Sequence, residues 1–545
     1  MKKLRSYVSV LLLLCLLPSL FSMITQATNA EAAEGKPASR GVTISSVSVP
    51  TYSGGTASSW MTYDGGDSVS FHDGEYRSKM QIIKGTTATQ YNTYCTKLTD
   101  NGYTKVWSRT LAAQSGSNRY AKFLAPDGSY SIYTYFTPYS SQTRIIVDTH
   151  KDTVEGFYYD GKGSDRTEVY MYNLTAPDNG YAYTSSDLGI QRRFPNGSMF
   201  VIKMPDNSLF IIDGGHKLHM GERAMDDLYD FCRQITGIPE GQKMIISAWH
   251  LSHVHTDHSD GFGRFLTKYS HRFDLKNIIY NTDYVEAGCT QETALHQIAQ
   301  LFPNARYYKP HTGERFKIAG VTFDVLYTAE DWYKPNGSNK LVVRDTNCLD
   351  YSNDNNASMA LRMSFDGKTA LWLGDLEKND AELLGMYPAA DLKSDILQLP
   401  HHLLDDHTTL VKTILPSISF ANQSWQASQT RGKIFNYMIK IADYAGDIYY
   451  AGNETVGYCA AEGVFYRKDH LELDYGNWTP KTYDLREANP VTSEAVKANE
   501  QFYRYMRAKE LASGLNAYAI VDHKTDWILS YDAINGGADR ALPAY

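Results

Sequence analysis

The chain has 545 residues, of which 42% are hydrophobic, and carries a formal net charge of −8 at pH 7. The length allows two or three domains, each large enough to bury its own core, and the composition is that of an ordinary globular protein. The negative charge argues against broad nucleic-acid binding, because such a surface repels polyanions on average.

The first residues predict a secretory signal peptide. Three basic residues within the first five positions precede an apolar run from Val8 to Leu20, and small residues near Ala30 offer a cleavage site. An uncleaved membrane anchor is the alternative, but Pro18 interrupts the run. We therefore assign residues 1–32 to a signal peptide and expect a secreted or extracellular protein, either free or held at the cell surface.

A tyrosine-rich region follows a linker. Residues 33–65 are rich in small polar residues and form the predicted linker, and residues 66–178 are predicted to form a small α+β domain. Its expected elements are a helix, Ala88–Asn101, and four strands, Tyr103–Leu111, Arg119–Leu124, Ser129–Phe136 and Thr143–Asp148. Its tyrosines either pack within the sheet or form an aromatic face for sugar or cell-surface contact, and both interpretations stay open.

Strands and helices alternate over residues 179–475, which is typical of an α/β domain. A predicted helix, Glu222–Ile235, ends at Gly237. The predicted strands are Met199–Met204, Ser208–Ile212, Met244–Trp249, Asn277–Tyr280, Val321–Tyr327, Ser358–Phe365, Thr369–Leu373, Ile396–Leu399 and Ile418–Asn422. Residues 476–545 form a C-terminal extension with a predicted helix, Glu494–Ala512, and a predicted strand, Ala517–Asp522.

Four metal-ligating side chains fall within six residues directly after the apolar strand Met244–Trp249. They are His253, His255, Asp257 and His258. Imidazole and carboxylate groups in one tight loop are the ligands that zinc and similar divalent ions bind. The alternating pair of histidines can point to one position while Asp257 and His258 point to a neighbouring one, so the loop suits two ions.

The motif H-x-H-x-D-H resembles that of the metallo-β-lactamase superfamily at every defined position. Asp213, followed by two glycines, is similar to the family's first motif, an aspartate that supports the metal loop. Within the superfamily the chain most resembles the soluble hydrolase-like domain of bacterial competence (DNA-uptake) channel proteins. That resemblance covers residues 195–465 and rests on the segments Asn355-Asn356-Ala357-Ser358, Leu373-Gly374-Asp375-Leu376-Glu377 and Asp395-Ile396-Leu397-Gln398-Leu399-Pro400-His401-His402.

The resemblance implies an αβ/βα sandwich and a role for several further residues. Asp375 is expected to bridge two metals, His401 to be the late histidine ligand, and His402 to face the substrate. Two departures matter: Asn355 and Asn356 stand where the superfamily usually has a histidine, and Leu403-Leu404 stands where the competence domains have Gly-Ser. Either an asparagine completes a loose first site, or only the second site is well filled.

These features predict a metal-dependent hydrolase that uses metal-bound hydroxide, with Asp257 as both ligand and orienter of the attacking water. We expect two divalent ions, zinc first and manganese as the alternative, with the second site more fully occupied than the first. The expected substrate is a small molecule or ester, in the first instance a phosphodiester or phosphate ester. The alternatives are a lactam, lactone or other acyl hydrolase, and a surface binding protein with a structural or degenerate metal site.

Overall fold

The computed structural model describes residues 49–62, 78–148, 166–172, 174, 183–185, 190–192, 197–216, 220–281, 290–335, 341–342, 355–377, 379–422, 432–450, 455–460, 463–467 and 485–487. The predicted signal peptide, most of the predicted linker, and the predicted helix and strand of the C-terminal extension lie outside these residues. Within the described part, no helix combines the length and the apolar character needed to cross a membrane.

The N-terminal part folds as a seven-stranded antiparallel sheet with one helix packed on it. Helix α1 (Ala88–Asp100) begins at Thr87, which forms a capping box with Gln90. The strands are β1 (Thr56–Ala57), β2 (Met61–Thr62), β3 (Ser78–Lys84), β4 (Thr104–Ala112), β5 (Ser117–Leu124), β6 (Ser131–Thr137) and β7 (Gln142–Asp148). Their order is β1-β3-β7-β6-β5-β4, with β2 also on β3. The helix and four strands predicted here are confirmed; β3 was not predicted, nor were β1 and β2, which lie within the predicted linker.

The remaining strands are β8 (Glu168–Met171), β9 (Tyr183–Ser185), β10 (Ile190–Arg192), β11 (Phe200–Lys203), β12 (Leu209–Ile212), β13 (Met244–Leu251), β14 (Phe273–Leu275), β15 (Asn277–Tyr280), β16 (Arg306–Tyr308), β17 (Arg315–Ile318), β18 (Val321–Tyr327), β19 (Lys334–Pro335), β20 (Leu341–Val342), β21 (Ala360–Phe365), β22 (Lys368–Trp372), β23 (Ile396–Gln398), β24 (Ile418–Ala421), β25 (Asp447–Tyr450), β26 (Thr455–Cys459), β27 (Gly463–Arg467) and β28 (Leu485–Glu487). The helices are α2 (Glu222–Thr236), α3 (Thr256–Tyr269), α4 (Thr290–Leu301), α5 (Ala329–Trp332), α6 (Asp380–Met386), α7 (Ala389–Leu392), α8 (Thr408–Ile414) and α9 (Gly432–Ile441), with 3-10 turns at Ser270–Arg272 and Pro400–Leu403.

Seventeen of these strands form two large sheets that pack face to face, whereas β9 with β10 and β19 with β20 form separate two-stranded sheets. The first has the order β16-β15-β13-β12-β11-β8-β26-β27-β28, with β14 also on β13, and the second has the order β17-β18-β21-β22-β23-β24-β25. Between them Phe210 stacks on Phe323 with ring centroids 4.5 Å apart, and Phe200 lies 4.7 Å from Trp372. One continuous apolar core therefore lies between the sheets.

Helices cover the outer faces of both sheets. Helices α2, α3 and α4 pack on the first sheet through a core that includes Trp249, Phe262 and Phe265. Helices α6, α8 and α9 pack on the second sheet through a core that includes Leu383 and Val411. The layer order is helix, sheet, sheet, helix, which confirms the αβ/βα sandwich expected from the resemblance, preceded by the small α+β part.

Tyrosines of the N-terminal sheet pack against the sandwich. Tyr120, Tyr133 and Tyr135 are buried in one cluster with Trp332 of α5. The Tyr135 hydroxyl donates a hydrogen bond to Asp331 at 2.7 Å, and the Tyr133 hydroxyl donates to the backbone carbonyl of residue 312. These three tyrosines are therefore packing residues, which is the first of the two interpretations of the tyrosine-rich sequence.

A buried histidine joins the N-terminal sheet to the sandwich. His311 Nε2 lies 3.1 Å from Asp148 Oδ2 at the end of β7, and His311 Nδ1 lies 2.9 Å from Glu330 Oε1 in α5. The ring also stacks on Tyr133 at 4.5 Å. Burial favours the neutral ring, but the surrounding carboxylates, Glu330 first, outweigh it and raise the pKa of His311 to about 9.

Candidate metal centre

Four strand ends carry the candidate ligands to one rim of the sandwich. Strands β12 and β13 of the first sheet run parallel, as do β22 and β23 of the second. Asp213 follows β12, His253 follows β13, Asp375 follows β22, and the pair of histidines follows β23. Because parallel strands direct their carboxyl ends to the same edge, residues distant in sequence meet there.

The H-x-H-x-D-H loop leads straight into helix α3. His255 is the residue before the first helical position, and Asp257 lies in the first turn, where the positive end of the helix favours a carboxylate. The helix lies directly on the Asp213 loop: a side chain at Gly261 would place its Cβ 1.8 Å from the carbonyl oxygen of Gly214. Glycine at this contact brings the helix, and the ligands it carries, close to the strand end.

Asp213 holds His258 in one orientation. Its Oδ2 accepts a hydrogen bond from His258 Nδ1 at 2.7 Å and another from Ser252 Oγ at 2.9 Å, while its Oδ1 accepts from the Ser252 amide at 2.8 Å. The buried carboxylate therefore places the proton of the ring on Nδ1. Nε2 of His258 is left as the nitrogen that can bind a metal ion.

One group of candidate ligands comprises Asp257, His258, Asp375 and His402, whose ligand atoms all lie within 4.8 Å of one another. His258 Nε2 lies 3.1 Å from Asp375 Oδ2. His402 Nε2 lies 3.3 Å from the same oxygen and 3.4 Å from Asp257 Oδ2. His402 Nδ1 donates to the carbonyl of Asn422 at 3.1 Å, so Nε2 is the atom directed at the group.

A second group shares Asp375 with the first. It comprises His253, His255 and Asp375, again with ligand atoms within 4.8 Å of one another. The rings of His253 and His255 lie 4.7 Å apart, and His253 Nε2 is 3.9 Å from Asp375 Oδ2. Burial, aided by His258 and His255, lowers the pKa of His253 well below its ordinary value, so its ring is neutral, as a ligand must be.

Several buried ligand atoms of these two groups lack a hydrogen bond within the described part of the chain. Among the described residues, His253 Nε2, His258 Nε2 and Asp375 Oδ1 make no hydrogen bond. Leaving a buried polar atom unsatisfied costs about 1–3 kcal/mol. A divalent ion would satisfy all three atoms, and the mixture of imidazole and carboxylate donors suits zinc, with manganese as the harder alternative. The residues present therefore fit the expected metal.

The electrostatics of the centre also favour a cation. Burial opposes charge on His258 and His402, but neighbouring carboxylates, Asp375 first, outweigh it; the pKa of His258 lies well above its ordinary value and that of His402 rises to about 10. A bound ion would take the place of the Nε2 proton on each ring. Burial would raise the pKa of both Asp257 and Asp375, yet the two imidazoles hold each well below its usual range. Both aspartates are therefore ionised and create a negative potential at the rim.

The two adjacent histidines belong to different groups of candidate ligands. His401 was expected as the late ligand and His402 as the residue facing substrate, but the structure brings His402 to Asp257 and Asp375. His401 instead lies with Glu377 and Asp405. The cause is the backbone: His401, His402 and Leu403 have φ of +46°, +47° and +59°. Left-handed φ values are uncommon for residues other than glycine, and in this turn His402 is the histidine that lies in the four-residue group.

The two asparagines also have different surroundings. Asn355 Nδ2 lies 2.7 Å from Glu377 Oε1 and 3.1 Å from His401 Nε2, so its side chain contacts these two residues. Asn356 Oδ1 accepts a hydrogen bond from the Asn379 amide at 3.1 Å, which ties it to the start of α6. Of the pair, Asn355 is therefore the candidate for the place of the missing histidine.

Supporting residues at this rim had little or no signal in the sequence. Ser252 links Asp213 to the loop, with its Oγ also 3.0 Å from His253 Nδ1. Asn422 orients His402 through its backbone carbonyl, a contact that any residue type can make. Glu377 and Asp405 surround His401. Only Glu377 belonged to a motif segment, and the sequence assigned it no role.

No protein-family model matches this chain, and no curated protein matches it. Among solved structures, the short form of human tRNase Z is similar at 14% identity and a TM-score of 0.21, over 42% of this chain and 76% of that one. CmlA, a diiron β-hydroxylase from Streptomyces venezuelae, is similar at 9% identity and a TM-score of 0.24, over 62% and 69%. The class is defined by this chain's own features: an αβ/βα sandwich with a candidate metal-binding His/Asp cluster at its rim.

Proposed function

We propose that this protein is a secreted, metal-dependent hydrolase of the metallo-β-lactamase type that acts on a phosphodiester or phosphate ester. The observation that carries the proposal is that Asp375 belongs to both groups of candidate ligands. Paired divalent ions joined through shared ligands stabilise the attacking and leaving oxygens in phosphatases and nucleases. Secretion is inferred from the basic and apolar pattern of the first thirty residues.

The proposed mechanism gives each residue of the centre a separate role. His253, His255 and Asp375 would hold one ion, and Asp257, His258, Asp375 and His402 the other; a bound ion supplies an activated water at neutral pH and polarises the ester. Asp213 fixes the tautomer of His258. The Asp257 side chain keeps 22% of its surface exposed while contacting His402, so it can accept a hydrogen bond from the attacking water and orient it.

The geometry bears on two other functions. Hydrolysis of a lactam, lactone or other acyl bond would use the same ionised Asp257 and the same two metal ions. These compounds therefore stay the alternative substrate class. A surface binding protein with a closed structural metal site is less well supported, because Asp257 and His402 of the four-residue group retain 22% and 12% side-chain exposure. An open position is what a hydrolytic site requires.

The test is metal content by elemental analysis, run together with hydrolysis of bis-p-nitrophenyl phosphate, an aryl acetate and a β-lactam before and after chelation. We expect two equivalents of zinc or manganese and chelator-sensitive turnover of the phosphodiester. His258→Ala should lose both metal and turnover, whereas His271→Ala, an exposed histidine in the turn after α3, should keep both. Turnover of only the acyl compounds would replace the substrate class. One equivalent or none, without turnover, would contradict the proposal.

A further inference from the structure

Asn355 belongs to a turn that is hydrogen-bonded to two segments carrying candidate ligands. It begins the turn over residues 355–357, after which Ser358 Oγ accepts a hydrogen bond from the Asp375 amide at 3.0 Å. The next residue, Met359, donates its amide to the carbonyl of Ser252 at 3.0 Å. The turn is thereby fixed to the backbone of Asp375 on one side and to the start of the histidine loop on the other.

The amide group of Asn355 has one orientation that satisfies its neighbours. Its nitrogen lies 2.7 Å from Glu377 Oε1 and 3.1 Å from His401 Nε2. A carboxylate only accepts hydrogen bonds, so the amide nitrogen and not the oxygen must face Glu377. The second hydrogen of the same nitrogen is donated to His401 Nε2. Both amide hydrogens are therefore used within this cluster.

The amide oxygen is left to interact elsewhere. Asn355 is 4% exposed, and within the described residues its Oδ1 makes no hydrogen bond. A buried carbonyl oxygen without a partner is costly. The turn that it begins is hydrogen-bonded to the backbones of Asp375 and Ser252, and His253, His255 and Asp375 form a group of three candidate ligands.

We propose that Oδ1 of Asn355 is a ligand of the ion held by His253, His255 and Asp375, and that Glu377, His401 and Asp405 are positioning residues that keep this oxygen directed at it. This inference rests on the proposed function, because it assumes that the centre holds metal. It explains why an amide replaces imidazole here without loss of the site: Glu377 and His401 fix the amide, and an amide oxygen is a neutral, hard ligand.

The same cluster has a competing interpretation as a third ion site, because ligand atoms of Glu377, His401 and Asp405 lie within 4.8 Å of one another. The hydrogen bonds of His401 decide against it. Its Nε2 accepts from Asn355, so the ring proton is on Nδ1, which is directed at Asp405 Oδ2 at 2.5 Å. The nitrogen that a third ion would need is therefore already engaged as a donor.

The experiment measures Mn²⁺ and Zn²⁺ binding to the metal-free full-length protein by calorimetry, with electron paramagnetic resonance to separate coupled Mn²⁺ pairs from single ions. Asn355→Ala should remove one ion and its coupling signal. Glu377→Gln should weaken binding of that same ion about 10- to 100-fold, as expected for a partner that orients a ligand. Glu240→Gln, at an exposed ion pair with Arg233, is the matched control and should bind as the wild type does.

A rescue variant makes the test specific for orientation. Asn355→Asp is nearly isosteric but sets a carboxylate against Glu377, so it should weaken the first ion. Adding Glu377→Gln exchanges donor and acceptor, because the glutamine amide now donates to the aspartate, and binding should recover at least tenfold over Asn355→Asp alone. A residue with a merely structural role would give no such recovery.

The outcomes separate the two proposals. If the wild type binds no ion and hydrolyses nothing, the proposed function fails. If it binds two ions and turns over substrate while Asn355→Ala binds both unchanged, only the role of Asn355 is overturned. Binding of three ions, with one lost in Glu377→Gln and in Asp405→Asn while Asn355→Ala keeps the coupled pair, would replace the inference with a third ion site.

Discussion

Replacing the buried His311 with glutamine is expected to change how stability depends on pH. The pKa of His311 rises from an ordinary 6.5 to about 9 in the folded protein. A shift of this size corresponds to about 3 kcal/mol of unfolding free energy. Because the folded pKa lies above the unfolded one, this stabilisation is fully present below pH 6.5 and is lost as the pH rises through 9.

The assay is urea denaturation of the wild type and of His311→Gln at pH 6, 7.5, 9 and 10. The difference in unfolding free energy between the wild type and His311→Gln should fall by about 3 kcal/mol between pH 6 and pH 10, and most of this fall should occur between pH 6.5 and pH 9. His271→Gln, at an exposed position, should follow the wild type. Parallel pH profiles for the wild type and His311→Gln would refute the reasoning, since they would mean that Asp148 and Glu330 do not hold a charged ring in the native state.

Three further predictions concern the metal centre. Asp213→Asn removes the acceptor that fixes His258, and calorimetry should show about 10- to 100-fold weaker metal binding; unchanged affinity would contradict that role. His402→Ala should remove one ion in elemental analysis, whereas His401→Ala should only weaken binding; the reverse result would restore the roles expected from the sequence. Gly374→Ala should destabilise the protein by about 1–3 kcal/mol in thermal unfolding, because φ is +55° and the added Cβ would lie 2.8 Å from Ser358 Oγ; an unchanged midpoint would contradict it.

Local patterns predicted most of the fold, and long-range pairing explains what they missed. Strands Asn277–Tyr280 and Val321–Tyr327 match their predicted bounds, since aliphatic and aromatic residues dominate both. Strand Ser78–Lys84 was missed because Lys79 and Gln81 interrupt its apolar residues. It is stabilised by pairing along its whole length with Gln142–Asp148, so the information that defines it lies about sixty residues away.

In the candidate site, too, local patterns predicted one part and contacts between distant segments determine the rest. The loop that carries His253 and His258 is dense in ligands, so the sequence alone indicated metal binding. The choice between His401 and His402 depends on a left-handed backbone and on the carbonyl of Asn422, neither of which is visible in the residue types. Leu403 also has a positive φ, which glycine adopts without cost and leucine rarely adopts, so its residue type gives no sign of this turn.

The ligand groups draw on both sheets of the sandwich, and this has a consequence for folding. Asp257 and Asp375 are more than a hundred residues apart along the chain, in segments that lie on opposite sides of the central core. An ion held by both would act as a crosslink that exists only in the native state. At a free concentration a thousand times its dissociation constant it would add about 4 kcal/mol to stability. Metal supply would then set the protein's lifetime as well as its activity, and chelation would expose it to proteolysis.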